Sequence, residues 1–357
     1  MKRVMIAMSG GVDSSVAAAL LKEEGYEVIG GTMHIFPDYE EAVDRDDHCC
    51  SYSAVQDAKR VANMLDIPHF VFNLKDEFQE KIIDYFVEEY SRARTPNPCV
   101  MCNKEIKFSA LMKKALEVNC DYIATGHYAR IEKVNGRYNL KKGVDKEKDQ
   151  SYMLYVLNQE QLSKTLFPLG NFTKERIREK AKELGFSVYN KPDSQEICFV
   201  PDDDYIRFLD TNYPEISKTG PILDTDGNKV GVHSGLAHYT IGQRRGLGVA
   251  LGYPVYVVEL DHQNNSVIVG KDNEVFNNGL IADDINMISI EKLNGKMDVR
   301  AKIRYNSDEV KAYIEPDKGN KIRVTFEEKQ RAITPGQSVV FYDDDLIIGG
   351  GIIEESF

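Results

Sequence analysis

Three short stretches of this sequence carry residue types suited to chemistry. The first is Ser9-Gly10-Gly11-Val12-Asp13-Ser14-Ser15, directly after the apolar run Val4 to Met8. Adjacent glycines let backbone amides approach a phosphate with no Cβ in the way. A helix starting behind them adds unpaired N–H groups and partial positive charge, and the serines add hydroxyl donors. A nucleoside triphosphate suits such a loop. No Lys follows the glycines, unlike the G-x-x-x-x-G-K-[ST] loop, which weakens any case for γ-phosphoryl transfer. The bland alternative is a strand-to-helix turn with a serine cap.

The second stretch, Thr95-Pro96-Asn97-Pro98-Cys99-Val100-Met101-Cys102-Asn103-Lys104-Glu105-Ile106-Lys107-Phe108, holds two thiols behind two prolines. The prolines stiffen the approach. A helix start and nearby lysines lower a thiol pKa and favour the nucleophilic thiolate. The third stretch, Pro192-Asp193-Ser194-Gln195-Glu196-Ile197-Cys198-Phe199, brings a distant Cys198. Half a zinc site is one reading of C-x-x-C, but no second Cys pair or spaced His pair is visible. A redox pair is another, but nothing thioredoxin-like surrounds it and the chain has no Trp. Inert burial is the reading preferred for Cys49, Cys50 and Cys120. Cys102 and Cys198 sit in polar, Pro-containing loops and read as reactive.

The elements that must position these residues follow from periodicity. Apolar strands over Lys2–Met8, Glu27–Met33, His69–Asn73 and Asp121–Thr125 alternate with helical patterns over Ser14–Glu24, Ala54–Leu65, Glu77–Tyr90, Phe108–Val118 and Arg176–Leu184. Such alternation predicts an α/β fold, a doubly wound parallel sheet that binds ligands at the carboxyl ends of its strands. After about Pro221 helical periodicity ends. Asp226-Gly227 signals a hairpin, and Val255–Leu260 and Ser266–Gly270 flank a polar turn. Val299, Ala301, Ile303 and Tyr305 then interleave with Arg300, Lys302 and Arg304, and short strands follow over Val310–Ile314, Ile322–Phe326, Ser338–Tyr342 and Leu346–Ile348. Two small β-rich modules are expected, the last a β-barrel. The expected domains are 1–200, 201–276 and 277–357.

At 357 residues, 42% hydrophobic and 29% charged, the chain reads as a soluble globular protein of two or three domains. No run approaches the roughly 18 apolar residues of a membrane helix. The apolar stretch behind Lys2-Arg3 is too short for a signal peptide, so a cytoplasmic protein is expected. Six cysteines are too few for a disulfide scaffold in a chain of this length. A net charge of −12 argues against a general nucleic-acid coat but leaves room for a local basic surface. Arg92, Arg94, Lys104, Lys107, Lys113, Lys114, Lys141, Lys142, Lys146 and Lys148 cluster around the second stretch. The acidity gathers elsewhere, in Asp38–Asp47, Asp202–Asp204 and Asp343–Asp345.

The S-G-G-V-D-S loop resembles that of the ATP pyrophosphatase superfamily. Together with T-P-N-P-C-V-M-C-N-K-E-I-K-F, A-T-G-H-Y-A-R, K-D-Q-S-Y, S-Q-E-I-C-F-V, G-Q-R-R-G-L-G and T-P-G-Q-S-V-V-F-Y, in that order, it resembles the tRNA 2-thiouridylase family across nearly the whole chain. The resemblance implies adenylation of the O2 of a wobble uridine in tRNAs for Lys, Glu and Gln, then sulfur transfer. It implies ATP with Mg²⁺ held by Ala7, Met8, Ser9, Gly10, Gly11, Val12, Asp13 and Ser14, with Met33 and Gly126 beside the nucleoside. It implies a Cys198 persulfide supplied by a sulfur-relay protein, Cys102 as nucleophile, and a Cys102–Cys198 disulfide after turnover. Asn97, Pro98 and Cys99 would line the target-base pocket. His127, Lys148, Asp149, Gln150, Arg304, Tyr305 and Gln337 would touch tRNA. Some family members carry Asp in place of Cys99, and Cys99, Cys102 and Cys198 offer an alternative, three ligands for a [4Fe–4S] cluster.

Overall fold

The computed structural model describes residues 1–35, 52–193, 197–200 and 202–357. Cys49, Cys50, the acidic run Asp38–Asp47, and Ser194, Gln195 and Glu196 lie outside the described residues. Contacts divide the chain into two compact units. The first comprises residues 1–83, 99–203 and 345–347; the second, 84–98, 204–344 and 348–357. Among the described residues no helix is long and apolar enough to cross a membrane.

The first unit is built on a parallel sheet of β1 (Arg3–Ala7), β2 (Glu27–His34), β3 (His69–Asn73), β4 (Tyr122–Ala124) and, beyond a hairpin, β7 (Thr165–Leu166). The spatial order is β3-β2-β1-β4-β7. Central β1 has Val4, Met5 and Ile6 wholly buried, as expected of a strand covered on both faces. Its neighbours hold register through Ile6 opposite Gly30 and Ala124. Helix α1 (Val12–Glu23) presents Val16, Ala17 and Leu20 to a core shared with Ala58 and Val61 of α2 (Tyr52–Met64). The hairpin is β5 (Ala129–Val134) and β6 (Arg137–Lys142), antiparallel about Asn135-Gly136. Both turn residues have positive φ, 51° and 86°, the conformation that Asn-Gly supplies most readily. Periodicity does not single this hairpin out, although its Asn-Gly turn pair is a strong local signal.

Helical structure departs from expectation in two places. The helix read over Glu77–Tyr90 runs as α3 (Lys75–Phe78), a π-helical stretch Gln79–Ile83 and α4 (Asp84–Ser91). The helix read from Phe108 begins ten residues earlier, as α5 (Pro98–Met101), π-helical turns over Cys102–Ala110, then α6 (Leu111–Glu117). Proline is well suited to a first helical position, where its missing N–H costs nothing. Pro98 therefore opens a helix instead of stiffening a loop, and Cys99 and Cys102 lie in helical turns. Next come α7 (Gln159–Ser163) and α8 (Lys174–Glu183), the latter adding Ile177 and Ala181 to the α1 core.

The second unit carries α9 (Tyr205–Asn212) and two β structures. A four-stranded sheet has β8 (Gly220–Asp224), β9 (Lys229–His233), β10 (Tyr256–Asp261) and β11 (Ser266–Gly270) in the order β10-β11-β8-β9. The β8–β9 hairpin turns at Asp226-Gly227 as expected. The other is a closed six-stranded barrel of β12 (Phe276–Met287), β13 (Met297–Lys302), β14 (Val310–Pro316), β15 (Ile322–Arg331), β16 (Ser338–Asp343) and β17 (Leu346–Ser356). The order is β12-β15-β14-β13-β16-β17, and β12 pairs with β17 to close it. Its interior side chains alternate as the sequence does, with Val299 and Ala301 buried and Arg300 exposed.

Candidate functional site

The loop from Ala7 to Ser14 joins the carboxyl end of β1 to α1, where open parallel sheets place ligands. Gly10 is left-handed at φ 69°, and a Cβ there would stand 2.3 Å from the Ala54 carbonyl oxygen. Only glycine fits. Gly11 is the N-cap and no side chain caps the helix. The Ser14 and Ser15 hydroxyls turn inward and donate to the Gly11 carbonyl at 3.2 and 2.8 Å. A serine-capped turn is therefore not what forms. Met8 and Val12 of the loop are buried, and Met33, next to last in β2, is buried too. Gly126 follows β4 and closes on the same loop: a Cβ there would lie 2.8 Å from the Ser14 amide nitrogen.

Asp13, in the first turn of α1, is held by groups from far along the chain. Its Oδ1 accepts from the Tyr128 hydroxyl at 2.8 Å, and Lys174 Nζ donates to both oxygens at 2.8 and 2.7 Å. The same ammonium lies 2.7 Å from Asp193 Oδ1. Lys148 and Arg178 also reach Asp193, at 2.9 and 3.2 Å. Burial opposes ionisation of Asp193, but hydrogen bonds from Lys174 and Lys148 outweigh it and hold the carboxyl below its ordinary range. Burial, then the charge of Asp13, push the Tyr128 phenol well above its usual value. Sequence reasoning missed Lys174. Its signal is weak but physical: it is the first residue of α8 and 7% exposed, a place where the helix dipole disfavours a cation unless anions are supplied.

Cys99 is exposed, Cys102 and Cys198 are half-buried, and all three are thiols. The Cys102–Cys198 disulfide that the resemblance implies is not formed here. Beside Cys102, Asn103 is buried. It donates to the Met153 carbonyl at 2.9 Å while its own Oδ1 accepts from no described residue. Cys198 sits in a turn anchored by Phe199, which packs edge-on against Phe78 at 5.9 Å. Burial pushes the Cys120 thiol up to about 11, in keeping with an inert cysteine. Among the described residues no three His, Cys, Asp or Glu side chains gather as a metal-binding group. Cys99, Cys102 and Cys198 thus do not gather as cluster ligands in this arrangement.

In the first unit, His127 lies between Phe108, tilted by 37°, and Phe167, edge-on, and bonds Thr125 at 2.7 Å; burial, then nearby Lys107, hold its pKa well below 6.5. Asp149 accepts from the Gly143 and Ser151 amides and the Ser151 hydroxyl. Gln150 accepts from the Tyr128 amide. These two side chains brace the turn before Ser151. In the second unit, Gln337 donates to the carbonyls of Thr95 and Pro96 at 3.0 and 3.2 Å, tying the barrel to the segment that holds Asn97 and Pro98. Arg304 is exposed, and Tyr305 lies under Lys302 at 5.6 Å. The basic cluster is partly neutralised: Arg92, Arg94, Lys114, Lys141 and Lys148 are all in ion pairs. Asp345 meets Arg130 and Lys141, so the last acidic run is not segregated from the basic residues.

Residues 2–202 match the family described as the tRNA methyl transferase HUP domain, 207–271 its PRC-barrel domain, and 277–353 the aminomethyltransferase β-barrel domain. The chain is 62% identical over the whole of both chains to a tRNA-specific 2-thiouridylase MnmA from Halothermothrix orenii. It is 56% identical, over 99% of each chain, to one from Acetivibrio thermocellus. A solved 4-thiouridine synthetase–RNA complex with bound ATP aligns at 18% identity over 60% of this chain and 51% of that one. Its TM-score is 0.39.

Proposed function

The chain belongs to the tRNA-specific 2-thiouridylase family, and from that premise we propose that it is an ATP-dependent tRNA-uridine 2-sulfurtransferase. The observation that carries this reading is the full-length identity to the Halothermothrix orenii relative. The domain descriptions speak of methyl transfer, but the full-length relatives bear the name of a sulfur-transferring enzyme. The substrate is the wobble uridine of tRNAs for Lys, Glu and Gln. The domains are an adenylation domain over 1–200, a central β-rich domain over 201–276 and a barrel over 277–357.

The chemistry follows from the parts. The residues Ala7 to Ser14, with Met33 and Gly126, hold MgATP with its pyrophosphate at the start of α1. Uridine O2 attacks the α-phosphorus and pyrophosphate leaves, which turns a poor leaving group into AMP. The outer sulfur of a Cys198 persulfide, loaded by a relay protein, then attacks C2 and AMP departs. The Cys102 thiolate attacks Cys198 Sγ, the S–S bond breaks towards the base, and 2-thiouridine leaves with a Cys102–Cys198 disulfide behind it. Two cellular thiols, or one dithiol, reduce the pair by disulfide exchange and are themselves oxidised to a disulfide. Such a bond requires Cα atoms within about 7 Å, so the Cys198 turn must approach Cys102 during turnover. Asn97, Pro98 and Cys99 receive the flipped base. His127, Lys148, Asp149, Gln150, Arg304, Tyr305 and Gln337 form the tRNA contact, and the enzyme works in the cytoplasm.

The test is to purify the protein without oxygen, then measure iron, acid-labile sulfide and 2-thiouridine formed on one tRNA with ATP. Iron-free protein should thiolate, and Cys198→Ser should abolish the product. Thiolation that needs about four bound irons would replace the persulfide route with a [4Fe–4S] cluster on Cys99, Cys102 and Cys198.

A further inference from the structure

The Lys174 ammonium is buried between two carboxylates that belong to different parts of the chemistry. Asp13 lies in the phosphate loop, while Asp193 stands five residues before Cys198. All of these residues lie in one compact unit. We propose that Lys174 is a positioning residue that couples occupation of the phosphate loop to the reactivity of Cys198, a role that rests on the ATP-dependent reading above.

The argument is one of competition for a single cation. Lys174 Nζ spans Asp13 at 2.7 and 2.8 Å and Asp193 at 2.7 Å, with the Tyr128 ring 5.9 Å away and the Tyr128 hydroxyl already committed to Asp13. With the loop empty, Lys174 ties Asp193 to the start of α1. A triphosphate brings several negative charges to that helix start, where partial positive charge and the ammonium both attract them. The ammonium then gives part of its interaction to phosphate, and Asp193 retains Lys148 and Arg178. Asp193, five residues before Cys198 in the sequence, thus has one set of partners in the empty state and another in the loaded one. A ligand that alters these ties must in turn be bound more or less tightly according to their state, by the same factor.

The test is peptide-level mass spectrometry of Cys198 alkylation by iodoacetamide in the whole protein, with and without a non-hydrolysable ATP analogue. Wild-type Cys198 should change its alkylation rate on analogue binding by about fivefold or more, the lower end of ordinary coupling between sites. Asp193→Asn keeps the side chain's shape and removes its charge. It should still bind the analogue by calorimetry but lose most of the change at Cys198; Lys174→Met, checked for folding by thermal unfolding, should bind the analogue more weakly and, at saturating analogue, lose the same change. A wild-type Cys198 indifferent to the analogue overturns the proposal. So does an Asp193→Asn protein with the wild-type response, since that means the nucleotide shields the thiol directly. Failure of the functional reading shows elsewhere, as absence of 2-thiouridine with the wild-type protein.

Discussion

Gly126 offers a sharp test of the phosphate-loop assignment. In Gly126→Ala the new methyl carbon would stand 2.8 Å from the Ser14 amide nitrogen and 2.9 Å from the Asp13 carbonyl carbon. Both are backbone atoms, so the clash is relieved only by moving the loop or the β4 end, by roughly half an ångström or more given ordinary carbon contacts of about 3.5 Å. Overpacking of this kind costs about 1–3 kcal/mol. Displaced onto the loop, that energy appears as ATP affinity, at tenfold for about 1.4 kcal/mol. A weakening of about 5- to 150-fold is therefore expected in calorimetric titration with a non-hydrolysable ATP analogue. Gly295→Ala is the control, because nothing lies within 4 Å of its added carbon. Gly126→Ala protein with wild-type analogue affinity and wild-type thermal stability would refute the reasoning, since it would mean the loop and Gly126 do not share a nucleotide.

Other outcomes are equally direct. Burial holds the His127 pKa well below its ordinary value, so below about pH 6.5 the unfolded chain takes up a proton more readily than the native state. Stability should fall with falling pH by up to about 1.4 kcal/mol per unit from this residue, and His127→Phe should flatten the slope in urea unfolding between pH 5 and 7; an unchanged slope counts against the assignment. Asp13→Ala should abolish tRNA-dependent pyrophosphate release while iodoacetamide still alkylates Cys198, and normal release would remove Asp13 from the nucleotide site. Arg304→Ala should weaken tRNA binding, make the salt dependence shallower by about one phosphate contact and leave ATP binding alone. Unchanged tRNA affinity would place this barrel face outside the interface.

Some features were legible in the chain because their causes are local. Ile6 and its neighbours announce a buried parallel strand by composition alone, and Gly10-Gly11 after such a strand announces a backbone that approaches something closely. The alternation around Val299 and Ala301 gave the barrel for the same reason: a period of two puts one set of side chains inside. The helix that carries Cys102 was harder. Pro98 can stiffen a loop or open a helix, and the packing of Val100, Ile106 and Phe108, all buried, decides for the helix.

What only tertiary structure decided are the partnerships across long stretches of chain. Lys174 meets Asp13 across 161 residues, and Gln337 meets Thr95 across 242. No periodicity reports such pairs, because hydrophobic pattern specifies which face of an element is buried and not which charge stands opposite it. A lysine in a polar helix reads as solvated until the fold removes water from around it. Burial then makes its two carboxylate partners obligatory, and the phosphate loop acquires a charge that its own sequence lacks.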